Sequence, residues 1–269
     1  MVSFVYKNRR DVENFCGGVL ITSRHVLTAA HCFKGRRSSE WSRSGDIDVR
    51  IGLANLEEKE REPANIREVE IHPRYEEVKG GREGVINDLC IVTLDREVNS
   101  PQVCLGGTRS RTNKRAVVIG FGKKVRSKFT GSQQDKLRFA YLDEISNSEC
   151  QRRYNDFYRR SKHKPQITDE MICAGNEEAD ACSGDSGSPL LWLNEGLRWV
   201  VLTFIFMWVG GYYFYFYVGG WFLLFSPFTS NLYSGGWWVG LCPLAQALVG
   251  TKHPGFMQRS KPVSTGFDP

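Results

Sequence analysis

Short apolar runs separated by polar residues recur along the first two thirds of the chain. Apolar and polar residues alternate over 47–51, a pattern typical of a half-buried strand. The runs 19–21 and 116–119 are apolar throughout, and runs this short favour strands over helices. One short helix is predicted where Ser146 and Glu149 have the spacing of an N-terminal capping box. The pattern therefore predicts a protein built mainly from short strands.

Composition indicates one globular unit and argues against a nucleic-acid partner. The chain has 269 residues, of which 41% are hydrophobic and 25% charged, enough for a substantial core. Its formal charge of +6 is a mild excess. Basic stretches at 109–115, 123–128 and 159–164 lack the interleaved aromatic residues of a nucleic-acid surface. These stretches are interpreted as solvated loops, with a polyanion site as the alternative.

One stretch, residues 180–189, has the composition of a reactive turn. Ser186 is flanked by Gly187 on one side and by Asp185, next to Gly184, on the other. The glycines let the backbone turn tightly enough to direct the N–H groups of Gly184 and Ser186 at one point, where an oxyanion could be held. A Gly/Ser turn beside a structural cysteine would be the better explanation if this stretch stood alone.

Two further motifs supply the partners that a nucleophilic serine needs. His31 ends the sequence Leu-Thr-Ala-Ala-His, and Asp88 lies in Asn-Asp-Leu-Cys. A serine hydroxyl needs a general base, and an imidazole in that role needs a buried acceptor that fixes its tautomer. The order His, Asp, Ser differs from that of subtilisin and of the α/β-hydrolases, and Ser188 breaks the Gly-x-Ser-x-Gly elbow. With these motifs the chain resembles the chymotrypsin/trypsin family of serine proteases.

The resemblance extends from the motif at 15–21 through 117–122 and 171–175 to about residue 202. A lengthened approach to Asp88 at 80–84 resembles the arthropod clip-domain proteases. The family implies an all-β fold of two six-stranded antiparallel β-barrels and a short C-terminal helix. The prediction is one peptidase domain over 1–269, with the first barrel at about 1–100 and the second at about 112–202 plus 250–260. The C-terminal helix is expected to be disrupted, because residues 258–269 lack its usual tryptophan.

The resemblance also implies roles for individual residues. His31 would be the general base and acid, Asp88 would orient it, and Ser186 would be the nucleophile, with the N–H groups of Gly184 and Ser186 as oxyanion donors. These roles predict a trypsin-like serine endopeptidase that acts on polypeptides through an acyl-enzyme, without metal or cofactor. The alternative is a catalytically impaired protease homologue that acts as a binding or regulatory protein.

Substrate specificity is expected to depend on Asp180, six residues before Ser186. The resemblance puts Asp180 at the floor of the substrate pocket, where a buried carboxylate selects Arg or Lys and rejects apolar side chains. A surface aspartate is the alternative interpretation. Gly255, in the motif Lys-His-Pro-Gly-Phe, would form part of the pocket wall.

Eight cysteines point to an oxidising compartment, so an extracellular, secreted protein is expected. No Cys-x-x-Cys or His-Glu-x-x-His spacing favours a metal site. Cys90 is expected to be a spare buried thiol, and Cys104 lies where many relatives tether a separately cleaved pro-region. The resemblance implies the disulfides Cys16–Cys32 and Cys150–Cys173, with Cys182–Cys242 as a candidate third pair.

The first residues lack the apolar run of a signal peptide, so Met1 is expected to be internal to a longer precursor. Relatives are zymogens activated by cleavage, after which the new α-amino group pairs with the aspartate before the serine, here Asp185. A buried carboxylate without its partner costs about 3–5 kcal/mol. The oxyanion hole of the chain as written is therefore expected to be poorly formed and its activity doubtful. An activating protease and a pro-region outside this chain are the expected partners.

Residues 199–251 contain no Asp, Glu, Lys or Arg and are dense in aromatic residues. Within them, 203–249 is predicted to be an insertion foreign to the family. A membrane span near 200–225 is disfavoured by its Gly and Tyr content, and an exposed binding loop of this size would promote aggregation. Translated non-coding sequence, such as an unspliced intron, is favoured because the insertion has abrupt edges against matching sequence on both sides.

Overall fold

The computed structural model describes residues 1–6, 14–34, 47–78, 84–105, 115–127, 130–132, 134–160, 166–169, 171–175, 181–193, 199–209 and 212–217. The elements up to residue 105 are β1 (Val2–Tyr6), β2 (Asn14–Leu20), β3 (His25–Thr28), α1 (His31–Lys34), β4 (Ile47–Ile51), β5 (Ile66–Ile71), β6 (Glu76–Val78), β7 (Gly84–Ile86), β8 (Cys90–Leu94) and β9 (Cys104–Leu105). The later elements are β10 (Arg115–Gly120), β11 (Lys124–Ser127), β12 (Thr130–Ser132), β13 (Arg138–Ile145), α2 (Asn147–Phe157), β14 (Met171–Gly175), β15 (Pro189–Leu193), β16 (Trp199–Val209) and β17 (Tyr212–Tyr217).

The first sheet has six strands in the order β4-β1-β2-β3-β8-β5, all paired antiparallel. A bridge between Val49 and Ala64 links β4 to the segment that leads into β5, which joins the two ends of the sheet. The predicted alternation in 47–51 is confirmed, because Val49 and Ile51 are buried in β4. Phe4, Val26 and other apolar side chains from these strands form one core.

The second sheet has seven strands in the order β15-β10-β13-β14-β17-β16-β9. An additional pairing between β15 and β16 closes the first six of these strands into a ring. Ala116, Leu142 and Leu190 are completely buried within this half of the molecule. The all-β class and the two curled barrels expected from the resemblance are confirmed, whereas residues 258–269, where a disrupted C-terminal helix is expected, lie outside the described residues.

Part of the predicted insertion at 203–249 forms regular strands. Residues 203–209 continue β16, and 212–217 form β17, which pairs antiparallel with both β14 and β16. The remaining residues of that segment lie outside the described part, so its foreign origin stays a prediction. Among the described residues, no helix is long and apolar enough to span a membrane.

The predicted N-cap is confirmed at the start of α2, whereas the Glu149 carboxylate binds Arg152 and Arg153 in place of the reciprocal bond of a capping box. Ser146 is the N-cap, and its hydroxyl accepts a hydrogen bond from the Glu149 N–H at 3.3 Å. This satisfies one of the N–H groups that the first turn of a helix leaves without a partner.

The structure also contains the disulfides Cys16–Cys32 and Cys150–Cys173. Cys104 is disulfide-bonded as well, and Cys242 lies outside the described residues.

Candidate active site

Two neighbouring strands of the first sheet bring His31 and Asp88 together. Thr28, at the end of β3, lies opposite Cys90, at the start of β8. His31 follows Thr28 by three residues and Asp88 precedes Cys90 by two, so both lie at the same edge of the sheet. The His31 imidazole Nδ1 is 2.6 Å from Asp88 Oδ2, and the His31 backbone N–H donates to Asp88 Oδ1, also at 2.6 Å.

Burial of the Asp88 carboxylate fixes the tautomer of His31. The Asp88 side chain is 0% exposed and that of His31 is 29% exposed. An ionised carboxylate only accepts hydrogen bonds. Nδ1 of His31 therefore carries the proton and donates a hydrogen bond to Asp88. The other ring nitrogen, Nε2, is then left with a lone pair. His31 can therefore accept a proton at Nε2 while Asp88 stabilises the resulting positive charge.

The negative charge of Asp88 also acts on the residues around it. Burial, followed by the charge of Asp88, raises the pKa of the Cys90 thiol well above its ordinary value. The same two causes, in the same order, raise the pKa of the Tyr75 phenol. Cys90 is therefore a protonated, buried thiol, and a protonated thiol is a poor nucleophile.

Ser186 lies on a tight turn whose carbonyl groups are all held in place. The carbonyl of Gly184 accepts from the side-chain amide of Asn14 at 2.8 Å, and that of Ser186 accepts from the Gly17 N–H at 2.7 Å. Between them, the Asp185 carbonyl accepts from the Ser188 N–H at 2.9 Å. Within the described part of the chain, the N–H groups of Gly184 and Ser186 have no such acceptor. Neither N–H group is therefore tied to a described part of the chain.

The turn lies directly against the segment that leads to His31. A Cβ atom placed on Gly187 would be 3.2 Å from the Ala29 nitrogen, two residues before His31. Gly17, which donates to Ser186, also accepts from the Thr28 hydroxyl at 2.7 Å. The structure therefore brings the turn of Ser186 to the edge of the first sheet that carries His31 and Asp88.

The residue Asp185 is half-buried, but its carboxylate is buried and is hydrogen-bonded to backbone N–H groups. Its Oδ1 accepts from the Gly122 N–H at 2.7 Å and its Oδ2 from the Cys182 N–H at 2.8 Å. Gly120 and Gly122 leave room for this carboxylate, because a Cβ on either would lie 2.0–2.1 Å from its oxygens. No ion pair joins Asp185 to a cation among the described residues. Burial raises its pKa to about 6, against the opposing effect of the two N–H donors.

We expect this carboxylate to make stability depend on pH. Its pKa rises from 3.8 in the unfolded chain to about 6 in the folded protein, so the folded state binds the proton more tightly. The contribution of Asp185 to stability is then fully present below about pH 4 and is lost, by about 3 kcal/mol, as the pH rises through about 6. Asp185→Asn cannot titrate, so its unfolding free energy should lack this fall when measured by urea denaturation from pH 4 to 7.

The exposed helical aspartate Asp156 provides a matched control for this measurement, since its side chain is 67% exposed. Asp156→Asn should keep the fall seen in the unsubstituted chain. An equal fall in Asp185→Asn would show that other groups cause the pH dependence.

Ser188, two residues after Ser186, is completely buried, and its hydroxyl has no hydrogen-bond partner among the described residues. The side chain fits because it faces Gly17, where an added Cβ would lie 2.1 Å from Ser188 Oγ. The absence of a side chain at Gly17 thus leaves room for the Ser188 side chain.

Several residues singled out in the sequence lie outside the described part of the chain, namely Asp180, Cys242 and Gly255. One group of potential metal ligands, Cys16, His31 and Cys32, occurs among the described residues. Its two sulfur atoms form a disulfide, so neither is available as a thiolate ligand.

Asn14 and Gly122, which donate hydrogen bonds to the turn of Ser186, were not predicted from the sequence. No sequence pattern marks a side-chain or backbone group that donates to a distant loop.

The chain is similar in sequence to several known proteins. The chain is 33% identical over 186 residues to serine protease filzig of Drosophila melanogaster, an alignment covering 66% of the chain and 10% of that protein. It is 34% identical over 198 residues to melanization protease 1 of the same organism, covering 65% of the chain and 46% of the relative. Phenoloxidase-activating factor 3 of Holotrichia diomphalia is 34% identical over 191 residues, covering 65% and 50%.

The chain therefore spans from a tenth to half of the length of these relatives. The family described as Trypsin matches residues 1–211, which include the motifs around His31, Asp88 and Ser186 and the start of the aromatic region. With a match over most of its length, the chain belongs to the trypsin family of serine proteases.

Proposed function

We propose that this protein is a serine endopeptidase that cleaves polypeptides through an acyl-enzyme. The observation that carries the proposal is the buried Asp88 carboxylate hydrogen-bonded to His31 Nδ1, with the turn of Ser186 alongside. In the first step, His31 Nε2 takes the proton of Ser186 Oγ while that oxygen attacks the substrate carbonyl carbon. The oxyanion that forms is stabilised by the N–H groups of Gly184 and Ser186.

The protonated His31 then gives its proton to the leaving amine, and the peptide bond breaks. Ser186 is left as an ester of the amino-terminal product. Water attacks this ester while His31 Nε2 takes a proton from it. As the ester bond breaks, His31 returns that proton to Ser186 Oγ, and the acid product leaves. The charge of Asp88 stabilises the imidazolium in both steps, which is why its burial and its two contacts with His31 matter.

A strand edge near Ser186, unpaired within the described residues, supports a peptide substrate. Phe204 of β16 pairs with both Pro189 and Phe216, so β15 and β17 lie on opposite edges of β16. Beyond Phe204, residues 205–209 pair with β17 on one edge, and no strand in the described part of the chain pairs with the other. This edge begins next to Pro189, three residues after Ser186. An extended peptide could add there as a strand.

Cleavage after Arg or Lys is proposed from the family position of Asp180, with Gly255 at the pocket wall. With an uncharged substrate side chain in the pocket, a buried Asp180 carboxylate would have no cation to pair with, so such substrates would bind poorly.

The proposed setting is extracellular, since the disulfides Cys16–Cys32 and Cys150–Cys173 need an oxidising compartment. An activating protease is proposed as a partner.

The second candidate function is a non-catalytic homologue that binds other proteins. It is favoured by Asp185, a buried carboxylate with no paired cation among the described residues, which could weaken the oxyanion turn. The two candidates differ in one property, the chemical reactivity of Ser186.

Labelling with a fluorophosphonate tests this difference. We expect covalent modification of Ser186 in the unsubstituted chain and none in Ser186→Ala, with the adduct located by peptide mass spectrometry. Ser183→Ala is a matched control, because Ser183 lies on the same turn but is exposed and has no proposed role. Absence of labelling in the folded chain would reject the protease and favour the binding protein.

A further inference from the structure

Asn14 forms a hydrogen bond across 170 positions of sequence to the turn that carries Ser186. It is the first residue of β2, in the first sheet, and is 5% exposed. Its side-chain Nδ2 donates to the carbonyl oxygen of Gly184 at 2.8 Å. This hydrogen bond is a strong structural constraint. Breaking it would leave a buried donor and a buried acceptor without a partner and without water to replace it.

The peptide unit that Asn14 holds lies between the two proposed oxyanion donors. The Gly184 N–H belongs to the peptide unit before it, and the Ser186 N–H to the one after it. The held unit is fixed at its other end too, because the Asp185 N–H donates to the Cys182 carbonyl at 2.8 Å. Its orientation therefore sets the directions of the donor groups on either side.

Apart from the bond between the Asp185 N–H and the Cys182 carbonyl, the turn itself does little to fix the carbonyl end of this peptide unit. Gly184 has φ of +99°, and glycine populates positive and negative φ at similar cost. Another arrangement of the peptide units is therefore open to the turn unless an outside group selects one. Two donors from β2, the Asn14 amide and the Gly17 N–H, select it by binding the carbonyls of Gly184 and Ser186.

We infer that Asn14 is a positioning residue that keeps the N–H groups of Gly184 and Ser186 directed at one point. This inference rests on the proposed protease function. Asn14 touches no substrate in this account and acts only through the Gly184 carbonyl. Its removal should weaken binding of a tetrahedral oxyanion without changing the binding of a ligand that only fills the substrate pocket.

The test compares two inhibitors on Asn14→Leu, which keeps the approximate size of the side chain but removes its donor. A peptide aldehyde ending in arginine forms a tetrahedral adduct with the serine, whereas benzamidine only occupies the pocket. We expect the inhibition constant of the aldehyde to rise about 10–100-fold, since small misplacement of catalytic groups can cost about 10²-fold. The inhibition constant of benzamidine should change less than about twofold. kcat should fall with the aldehyde affinity while KM stays nearly constant.

Asn147→Leu is the matched control, because the Asn147 amide also donates to backbone carbonyls, those of Thr168 and Met171, away from the turn. It should leave both inhibition constants unchanged even if it lowers stability. If Asn14→Leu does not fold, Asn14→Ala provides the same comparison with a smaller side chain. Equal aldehyde affinity in the Asn14 variant and the unsubstituted chain would overturn the positioning role. An unsubstituted chain that neither reacts with the aldehyde nor hydrolyses peptides would overturn the proposed function, and this inference with it.

Discussion

Asp88→Asn is expected to lower kcat about 10⁴-fold, the magnitude known for the same exchange in the triad of a chymotrypsin-like protease. Both carboxylate oxygens of Asp88 accept hydrogen bonds, one from the His31 backbone N–H and one from Nδ1. The backbone N–H cannot reverse its role, so the oxygen of the new amide must stay with it. The amide NH₂ then faces Nδ1, which must become an acceptor.

This exchange moves the imidazole proton to Nε2, so His31 can no longer accept the proton of Ser186. The measurement is kcat and KM for a chromogenic peptide ending in arginine, with thermal unfolding to check that the variant folds. Asp48→Asn is a control at an aspartate paired with Arg50, away from the site. It should retain full activity. A loss below about tenfold in folded Asp88→Asn would mean that the tautomer of His31 does not control the reaction.

Gly187→Ala is expected to lower the free energy of unfolding by about 3–5 kcal/mol, the sum of backbone strain and overpacking. Gly187 has φ of +77°, a region that alanine rarely adopts. An added Cβ would also lie 2.3 Å from Thr28 Oγ1 and 2.4 Å from the Gly17 carbonyl oxygen. These two atoms are hydrogen-bonded to each other, so neither can move without breaking that bond.

Gly52→Ala separates strain from crowding. Gly52 has φ of +67°, but its added Cβ would have only Ser100 Oγ nearby, at 3.3 Å. We expect a loss of about 1–2 kcal/mol there, from strain alone. Both variants can be measured by urea denaturation followed by tryptophan fluorescence. Equal losses would show that the close approach of the turn to the first sheet costs nothing.

Some of the structure follows from short sequence patterns because the physical cause is local. The alternation over 47–51 gave β4, since side chains on a strand point alternately to the core and to solvent. The spacing of Ser146 and Glu149 gave the start of α2, since the capping bond joins residues three apart. The strands at 203–209 and 212–217 were not foreseen, because their aromatic composition lacks the alternation that marks a half-buried strand.

The sequence by itself determined the trypsin-family membership and the candidate residues His31, Asp88 and Ser186, because their motifs depend on neighbours a few positions away. Only the tertiary structure decided how Asp88 is buried against His31, because that contact depends on the pairing of β3 with β8. It alone also decided that Asn14, from the first sheet, holds the turn of Ser186. A hydrogen bond across 170 residues depends on the packing of two sheets, and no local pattern of residues specifies it.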